Sequence, residues 1–243
     1  MIHMELNVVY NEDCLEGMNR IEDNSVDMIL TDIPYNEVNR KTNGLRKLDK
    51  QNADILNFNL QYFLDESIRV CNGSFYIFCG IEQVSFIKKY LVENKLSVRH
   101  CIWEKTNPSP MNGQHIWLSS IENCIYAKKP KALFNEHCKS SVWRFPCGKS
   151  KIHPTEKPIK LFEYLIKTSS SEGDIVLDNC MGSGTTAIAC MNTNRNFIGF
   201  EIDKGYYDII LERIKNHKPN VIQESKQGLE ILFFRCNNLK PYF

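Results

Sequence analysis

The sequence predicts a doubly wound, mostly parallel α/β sheet. Short apolar runs bounded by polar residues, such as 26–30 and 75–79, are typical of strands buried on both faces. Stretches with apolar residues at helical spacing, such as 159–166, alternate with these runs along the chain. Because the chain contains neither an internal repeat nor a Gly/Ser linker, we expect a single catalytic domain over residues 1–217, followed by a tail at 218–243.

The individual elements follow from the same patterns. Strands are predicted at 7–10, 26–32, 75–79, 98–103, 121–127, 175–177 and 197–200, and helices at 14–21, 56–70, 84–91, 159–166, 185–191 and 206–214. Gly73 is expected to end the second helix. Residues 37–55 and 104–155 hold many basic residues, prolines and glycines, so we predict recognition loops there, interrupted by the strand at 121–127. In the tail, 229–234 is apolar enough for an edge strand.

Composition and charge are those of an ordinary globular protein. Hydrophobic residues make up 42% of the chain and charged residues 24%, and no apolar stretch approaches the roughly 20 residues that span a bilayer, so we expect a cytoplasmic protein without a membrane partner. The ten cysteines form no Cys-x-x-Cys pair, so we expect no metal. The formal charge is only +1, but basic residues concentrate at 40–50 and 128–160. Such clusters suit a phosphate backbone, although many are only solvated surface.

The strand at 26–32 ends in residues suited to a ligand site. Asp32, Ile33, Pro34 and Tyr35 stand at its carboxyl end, so a carboxylate, a proline and an aromatic ring emerge together. Ligands bind at that end of the strands in an open α/β sheet. An ordinary strand-to-turn exit uses the same residue types, and the motif alone does not separate the two interpretations.

A second group of residues follows the strand at 175–177. Gly182-Ser183-Gly184 stands between this strand and a helix, where a ligand can approach the backbone closely. The next strand ends at Glu201, 23 residues after Asp178, an offset at which a carboxylate bonds the ribose hydroxyls of a nucleoside. The glycines fit neither a dinucleotide fingerprint nor a nucleoside-triphosphate loop. A nucleoside without pyrophosphate remains, and S-adenosylmethionine fits that description.

Four motifs together resemble those of the amino-directed DNA methyltransferases that use S-adenosylmethionine. They are TDIPYN at 31–36, HPTEKP at 153–158, DNCMGSGTT at 178–186 and GFEID at 199–203. Their order, with the catalytic motif first and the cofactor loop last, is similar to that of the β group of this family. The resemblance covers roughly residues 7–215 and implies a Rossmann-like methyltransferase sheet with a circularly permuted motif order. The chain departs from the family pattern at Ile33, normally proline, and at Asn179-Cys180, normally Pro-Phe.

The resemblance implies methyl transfer to the exocyclic N6 of an adenine flipped out of double-stranded DNA. Asp32 and the carbonyl of Ile33 are expected to accept the two amine protons, while Tyr35 stacks on the base and Pro34 stiffens the turn. Any residue supplies a carbonyl, so the departure at position 33 is compatible with activity. Two alternatives stay open: transfer to cytosine N4, and a catalytically impaired homologue that only binds DNA and cofactor.

For the cofactor, the resemblance implies contacts at both of its ends. Glu201 is expected to hold the ribose, and Lys157 to pair with the methionine carboxylate. Asp13 is expected to contact the adenine amino group, to cap the helix at 14–21, or to do both. The expected cofactor residues are Asp13, Cys14, Lys157, Asp178, Met181, Gly182, Ser183, Gly184, Thr185, Thr186 and Glu201.

DNA contacts are expected mainly from the two recognition loops. The expected residues are Arg40, Lys41, Arg46, Lys47, Asn107, Arg144 and Lys149. Asn107 belongs to WEKTN at 103–107, which is similar to the family's Trp-x-Lys-x-Asn stretch beside the target-base pocket. Trp117 and Trp143 suit either DNA contact or core packing. A homodimer and a cognate restriction endonuclease are left open as partners, since no stretch of the sequence demonstrates either.

Two other methyltransferase classes fit less well. Pro146-Cys147 resembles the nucleophile pair of a cytosine-C5 enzyme, but it lies in a basic loop before the cofactor loop and away from a strand exit. Protein-glutamine methyltransferases carry their Asn-Pro-Pro-Tyr motif after the cofactor loop, whereas Asp32 lies before it.

Overall fold

The computed structural model describes residues 4–35, 59–110, 113–148 and 156–217. In these ranges the strands are β1 (Val8–Tyr10), β2 (Val26–Asp32), β3 (Cys71–Cys79), β4 (Ser97–Lys105), β5 (Ile121–Lys128), β6 (Val142–Phe145), β7 (Ile175–Asp178) and β8 (Asn196–Phe200). The helices are α1 (Cys14–Met18), α2 (Leu60–Val70), α3 (Ile81–Glu93), α4 (Ile159–Ser169), α5 (Thr185–Asn192) and α6 (Lys204–Asn216). The strands form one sheet in the order β1-β8-β7-β2-β3-β5-β4-β6.

The sheet is mostly parallel, as predicted. All neighbouring pairs from β1 to β3 are parallel, β4 is parallel to β6, and β5 alone among the described strands runs antiparallel to its neighbours β3 and β4. Strand β4 therefore runs in the same direction as β2. The carboxyl edge of the sheet, where β2, β4, β7 and β8 end, is defined by Asp32, Lys105, Asp178 and Phe200.

Helices cover both faces of the sheet. Helices α1 to α3 pack on one face through side chains such as Phe63 and Ile87, and α4 to α6 pack on the other through side chains such as Leu165 and Ile210. Ile29 and Met28 of β2 are fully buried in opposite layers, because successive strand residues point to opposite faces. This arrangement explains why β2 is apolar throughout its length and confirms the doubly wound class.

Gly73 contradicts one prediction. It lies inside β3, which starts directly after α2, and therefore does not end the helix. A Cβ added at Gly73 would stand only 1.9 Å from the carbonyl oxygen of Asp27, where the pairing of β2 with β3 shifts its register. The glycine is thus needed for the close approach of two backbones, which a sequence pattern does not distinguish from a helix stop.

The predicted loop at 104–155 contains a strand that the sequence pattern missed. Strand β6 pairs with β4 and places Trp143 in the core, where its ring centroid lies 6.0 Å from that of Tyr76. Trp143 is 8% exposed, so core packing is the correct choice for this residue. The prolines, glycine and basic residues around this four-residue strand concealed it.

Several predictions fall outside the described ranges. They are the recognition loop at 37–55, the edge strand at 229–234 and the tail at 218–243. Within the described ranges, no helix is long and apolar enough to cross a membrane. In the same part of the chain, nine cysteines are free and no group of side chains is arranged to hold a metal ion.

Candidate active site

The catalytic motif lies at the carboxyl edge in the middle of the sheet. Asp32 ends β2, and the next residue remains attached to β3 because the Ile33 N–H donates to the Phe78 carbonyl oxygen at 3.1 Å. The amide of Gln83 donates to the Pro34 carbonyl oxygen at 3.0 Å, and its own carbonyl oxygen accepts from Gly80 N at 2.8 Å. The first turn of α3 thus fixes the motif, and no sequence pattern indicated this role for Gln83.

A network of alternating charges surrounds Asp32. The Tyr35 hydroxyl donates to Asp32 Oδ1 at 2.6 Å, and Lys157 Nζ bonds Asp32 Oδ2. Lys157 Nζ also lies 2.9 Å from Glu122 Oε2, and Lys105 Nζ lies 2.8 Å from Glu122 Oε1. The Lys157 side chain is 5% exposed whereas that of Asp32 is 30% exposed, so the Asp32 carboxylate is the part of this ion pair that a ligand can reach.

The network sets the protonation states of its members. Burial raises the pKa of Asp32, Lys157 opposes this, and the nearby Glu122 adds to it. Burial lowers the pKa of Lys157, but Asp32 and Glu122 outweigh burial and raise that pKa above its usual value. Burial raises the pKa of Glu122, but Lys157 and Lys105 outweigh it and hold that pKa below its usual value. At neutral pH, Lys157 is therefore a cation held between two carboxyl groups.

Glu122 is a site residue that the sequence interpretation missed. It lies on β5, inside a strand of otherwise mostly apolar residues, and its side chain faces Lys157 and Lys105. A carboxylate in a buried strand needs a cationic partner, and this unusual placement was the available signal. No motif revealed the pairing of Glu122 with Lys157, because Lys157 comes from a distant part of the chain, the segment before α4.

The glycine turn after β7 is braced from inside by Asp178. Cys180 N donates to Asp178 Oδ1 at 3.1 Å, and the Thr186 hydroxyl bonds Asp178 Oδ2. Gly182 and Gly184 have φ of +55° and +84°, values that side-chain-bearing residues rarely adopt. Burial raises the pKa of Asp178 to about 6, although the hydrogen bonds from Thr186 and Cys180 oppose this. Asp178 thus supports the turn that follows it.

Glu201 is the carboxylate that the sequence predicts to bond the ribose hydroxyls. Gly182 N donates to Glu201 Oε2 at 2.7 Å, and Asp203 N donates to Oε1 at 2.9 Å. Each carboxylate oxygen has two acceptor positions, so each retains one for a hydroxyl group. Burial raises the pKa of Glu201 to about 7 against the effect of these two backbone donors. The arrangement suits two adjacent hydroxyls.

The other expected cofactor residues surround this turn. Asp13 Oδ1 accepts from Leu15 N at 2.7 Å, which confirms its role as the cap of α1. Cys14 is buried next to Cys180. Met181 fills the space beside Gly199, where a Cβ would stand 2.0 Å from the Met181 methyl carbon.

Arg213 joins three segments: α6, the glycine turn after β7 (called the cofactor turn below) and the segment before α4. Arg213 of α6 donates to the Ser183 carbonyl oxygen at 2.5 Å and pairs with Glu156 Oε1 at 2.5 Å. The Thr185 hydroxyl reaches the Lys157 carbonyl oxygen at 3.5 Å. The cofactor turn is therefore tied both to α6 and to the segment that carries Lys157, a link that the sequence did not reveal.

The expected DNA-contacting residues are only partly described. Asn107 Oδ1 accepts from Cys147 N at 2.6 Å and so joins the chain after β4 to the chain after β6. Arg144 is exposed, and its Nε lies 2.9 Å from Glu104 Oε2. Arg40, Lys41, Arg46, Lys47 and Lys149 lie outside the described residues.

The fold and these adjoining sites define a Rossmann-like sheet of the DNA methyltransferase type. The family model of N6 and N4 DNA methylases matches residues 26–212. The chain therefore belongs to this DNA methylase family.

Its relatives match most of its length. It is 29% identical over 254 residues to the type II methyltransferase M2.MboI of Moraxella bovis, covering 91% of this chain and 92% of that protein. It is 34% identical over 235 residues to the type II methyltransferase M.HpaI of Haemophilus parainfluenzae, covering 83% and 72%. The crystal structure of the M1.HpyAVI–SAM complex superposes with a TM-score of 0.67 at 32% identity and covers 85% of this chain and 98% of that one.

Proposed function

We propose that this chain transfers a methyl group from S-adenosylmethionine to the exocyclic N6 of an adenine flipped out of double-stranded DNA. The observation that carries the proposal is the adjacency of the two sites. β2 and β7 pair in parallel, Met28 with Val176 and Ile29 with Leu177, so Asp32 and Asp178 leave the same edge on neighbouring strands. Such strands lie about 4.8 Å apart, so an amine held at Asp32 faces a ligand held after β7.

The turn after β7 fits the nucleoside end of S-adenosylmethionine. Glu201 retains two acceptor positions for the ribose hydroxyls, and the left-handed conformations of Gly182 and Gly184 keep side chains away from the ligand's path. When bound, the cofactor supplies a methyl group made electrophilic by its sulfonium. Cys14, Met181, Ser183, Thr185 and Thr186 line the same turn or its flanks.

Lys157 is already engaged by other side chains of the protein, which bears on its proposed role in the cofactor site. Its ammonium already bonds Asp32, forms an ion pair with Glu122 and lies 3.4 Å from the Tyr35 hydroxyl. Pairing with the methionine carboxylate therefore requires release of the long contact to Tyr35. Lys157 then links the cofactor to Asp32 through one ammonium group.

The chemistry needs a lone pair that points at the methyl group. The lone pair of an exocyclic amine is delocalised into the base, so the amine is a weak nucleophile. Asp32 accepts one N–H and the Ile33 carbonyl accepts the other, which turns the nitrogen toward tetrahedral geometry. The new N–C bond forms as the C–S bond breaks, the bonding pair stays on sulfur, and the proton leaves the nitrogen toward Asp32 and solvent.

Tyr35 positions both Asp32 and the base in this proposal. Its hydroxyl fixes Asp32 Oδ1, while Asp32 Oδ1 and Oδ2 each retain an acceptor position for the incoming amine. Lys157 Nζ lies 5.6 Å from the Tyr35 ring centroid, and this cation–π contact restrains the Tyr35 ring. Stacking on this ring would hold the flipped base in plane with the Ile33 carbonyl.

Methyl transfer from labelled S-adenosylmethionine to DNA tests the proposal, followed by nucleoside analysis. We expect N6-methyladenine from the wild type and a loss of about 10²- to 10³-fold for Asp32→Asn, because the charged acceptor is removed without changing its shape. Asp208→Asn on the exposed side of α6 is the matched control and retains activity.

Other outcomes of this assay would revise the proposal. N4-methylcytosine as the sole product would replace adenine by cytosine as the target. Cofactor binding without any transfer, equal in wild type and Asp32→Asn, would leave only a binding homologue. A map of methylated sites in DNA from expressing cells identifies the recognition sequence.

Two partners besides DNA belong to the proposal. The relatives named above are type II methyltransferases, which supports a search for a cognate restriction endonuclease. Light scattering at the concentration of the assay tests for a homodimer.

A further inference from the structure

Trp117 is the most exposed large apolar residue among those described. It is 95% exposed, whereas Trp103 is 2% and Trp143 8% exposed. Its neighbours Ile116 and Leu118 are also exposed, and we refer to residues 113–118 as the Trp117 tip. A cluster of large apolar side chains held in water is informative, since such groups are usually buried.

The Trp117 tip is a folded structure. Gly113 N donates to the Pro110 carbonyl oxygen at 3.0 Å, and a Cβ at Gly113 would stand 2.7 Å from Leu118 Cδ2. Lys105 N donates to the Ser120 carbonyl oxygen at 2.7 Å, which fixes the base of the tip to the end of β4. Leu118 thus folds back on the turn, and Trp117 is presented outward from an anchored base.

The tip stands at the same edge of the sheet as the active site. β4 ends at the carboxyl edge and β5 begins there, and Trp117 lies five residues before Glu122, which pairs with Lys157. Five residues reach at most about 17 Å, and the major groove of DNA is about 12 Å wide. Trp117 is therefore within the footprint of a duplex whose target base is held at Asp32.

The charge of this region suits a polyanion. Although the chain has 29 acidic residues, none lies between Thr106 and Ser120, and none lies between His137 and Thr155. The second stretch contributes the exposed Arg144 beside β4. The tip itself therefore carries no carboxylate that would repel a phosphate backbone, and the nearby Glu104 is paired with Arg144. A second copy of the chain seated here would instead cover the edge at which the base must enter.

We propose that Trp117 inserts into the DNA base stack and fills the space left by the flipped target base. This inference rests on the proposed function. Base flipping removes stacking from the duplex and leaves a gap, and an aromatic side chain in that gap restores stacking on both neighbours. Trp117 supplies an exposed aromatic ring on a tip whose base is hydrogen-bonded to β4 at the edge of the sheet that carries Asp32.

The test compares variants on two duplexes that carry a mapped methylation site. One duplex has the normal base pair, and the other has an abasic position opposite the target, which makes flipping easier. We expect Trp117→Ala to lower kcat/KM about 5- to 150-fold on the normal duplex. On the abasic duplex the loss should shrink to about 3-fold or less, because a target base without a pairing partner leaves the duplex at a lower cost.

Two further variants serve as controls. Trp117→Phe keeps a stacking ring and should retain most of the activity on both duplexes. Phe134→Ala removes an exposed aromatic residue that follows β5 at the opposite edge of the sheet, and should leave both activities unchanged. Unchanged thermal melting of Trp117→Ala establishes that the fold is intact. Because the other two tryptophans are buried, fluorescence quenching on duplex binding should disappear in Trp117→Phe.

Each remaining outcome separates the inference from the proposed function. Absence of methylation by the wild type on both duplexes would overturn the proposed function. Normal wild-type activity with a loss in Trp117→Ala that is absent, or equal on the two duplexes, would overturn the role of Trp117 alone. Conversion of a dimer to a monomer by Trp117→Ala would assign the tip to contacts between copies instead.

Discussion

Two neighbouring pairs of carboxylates at the carboxyl edge, Asp32 with Glu122 and Asp178 with Glu201, are stabilised in opposite ways. Asp32 and Glu122 share the ammonium of Lys157, so their charges are balanced by a cation. Asp178 and Glu201 are satisfied by neutral donors, namely backbone N–H groups and the Thr186 hydroxyl. Their pKa values rise accordingly, to about 6 and about 7. The carboxylates proposed to hold an amine thus share one cation, while those proposed to hold a nucleoside gain and lose protons near neutrality.

Removal of the shared cation should have the largest effect. Lys157→Met removes the cation that Asp32 and Glu122 share and leaves only Lys105 to face Glu122, and loss of one member of a buried ion pair costs about 3–5 kcal/mol. We expect that decrease in the free energy of unfolding, measured by urea denaturation.

The matched control for this variant is Lys160→Met. Lys160 is 72% exposed and pairs with Glu163 near the start of α4, so its replacement should cost about 0.5 kcal/mol or less. Adding Asp32→Asn to Lys157→Met should recover part of the lost stability, because it removes the carboxylate charge that has lost its cation. Equal effects of Lys157→Met and Lys160→Met would contradict the balance of charges described for Asp32, Glu122 and Lys157.

The stability contributed by Glu201 should depend on pH near neutrality. Burial raises the pKa of Glu201 from 4.5 to about 7, so the folded state binds the proton more tightly than the unfolded state. The stabilisation from this proton is complete below about pH 4.5 and is lost as pH rises through 7. It amounts to about 3 kcal/mol at most.

Urea unfolding of wild type and Glu201→Gln between pH 5 and pH 8 measures this contribution. Glu201→Gln, which cannot titrate, should lose that part of the pH dependence. The affinity for S-adenosylmethionine should change in the other direction and weaken several-fold below pH 7, since ribose hydroxyls bond best to the carboxylate. Identical pH profiles of the two proteins would show that Glu201 titrates normally.

Replacement of Arg213, which connects the glycine turn after β7 to the segment of Lys157, should have the smallest effect. Arg213 bonds the Ser183 carbonyl oxygen and pairs with Glu156 in the segment of Lys157. Arg213→Met should therefore raise KM for S-adenosylmethionine several-fold, with kcat nearly unchanged and a stability loss of about 1–2 kcal/mol. Lys215→Met, an exposed position on the same helix, is the control and should change neither. A fall in kcat at constant KM would show that Arg213 acts on Asp32 and Glu122 instead.

Sequence was most informative where chemistry depends on local order. The strand ending at Asp32 and the turn at 182–184 were predicted because a strand, its exit and the following helix are contiguous in the chain. Glu122, Gln83 and Arg213 were missed because each meets its partners only after distant segments fold together. Strand β6 was missed because it is held by pairing with β4, which no local pattern records.

One antiparallel strand has a consequence for how this molecule can change. Because β5 runs against its neighbours, the connection from β4 to β5 starts and finishes at the same edge, with both ends hydrogen-bonded into the sheet. Lengthening such a connection costs little, about 0.6 kcal/mol for each doubling of its length. New sequence can therefore be inserted between residues 106 and 120 without moving Asp32 or Glu122. The segment proposed to face DNA can thus evolve, or be engineered, as an exchangeable module while the residues proposed for the chemistry stay unchanged.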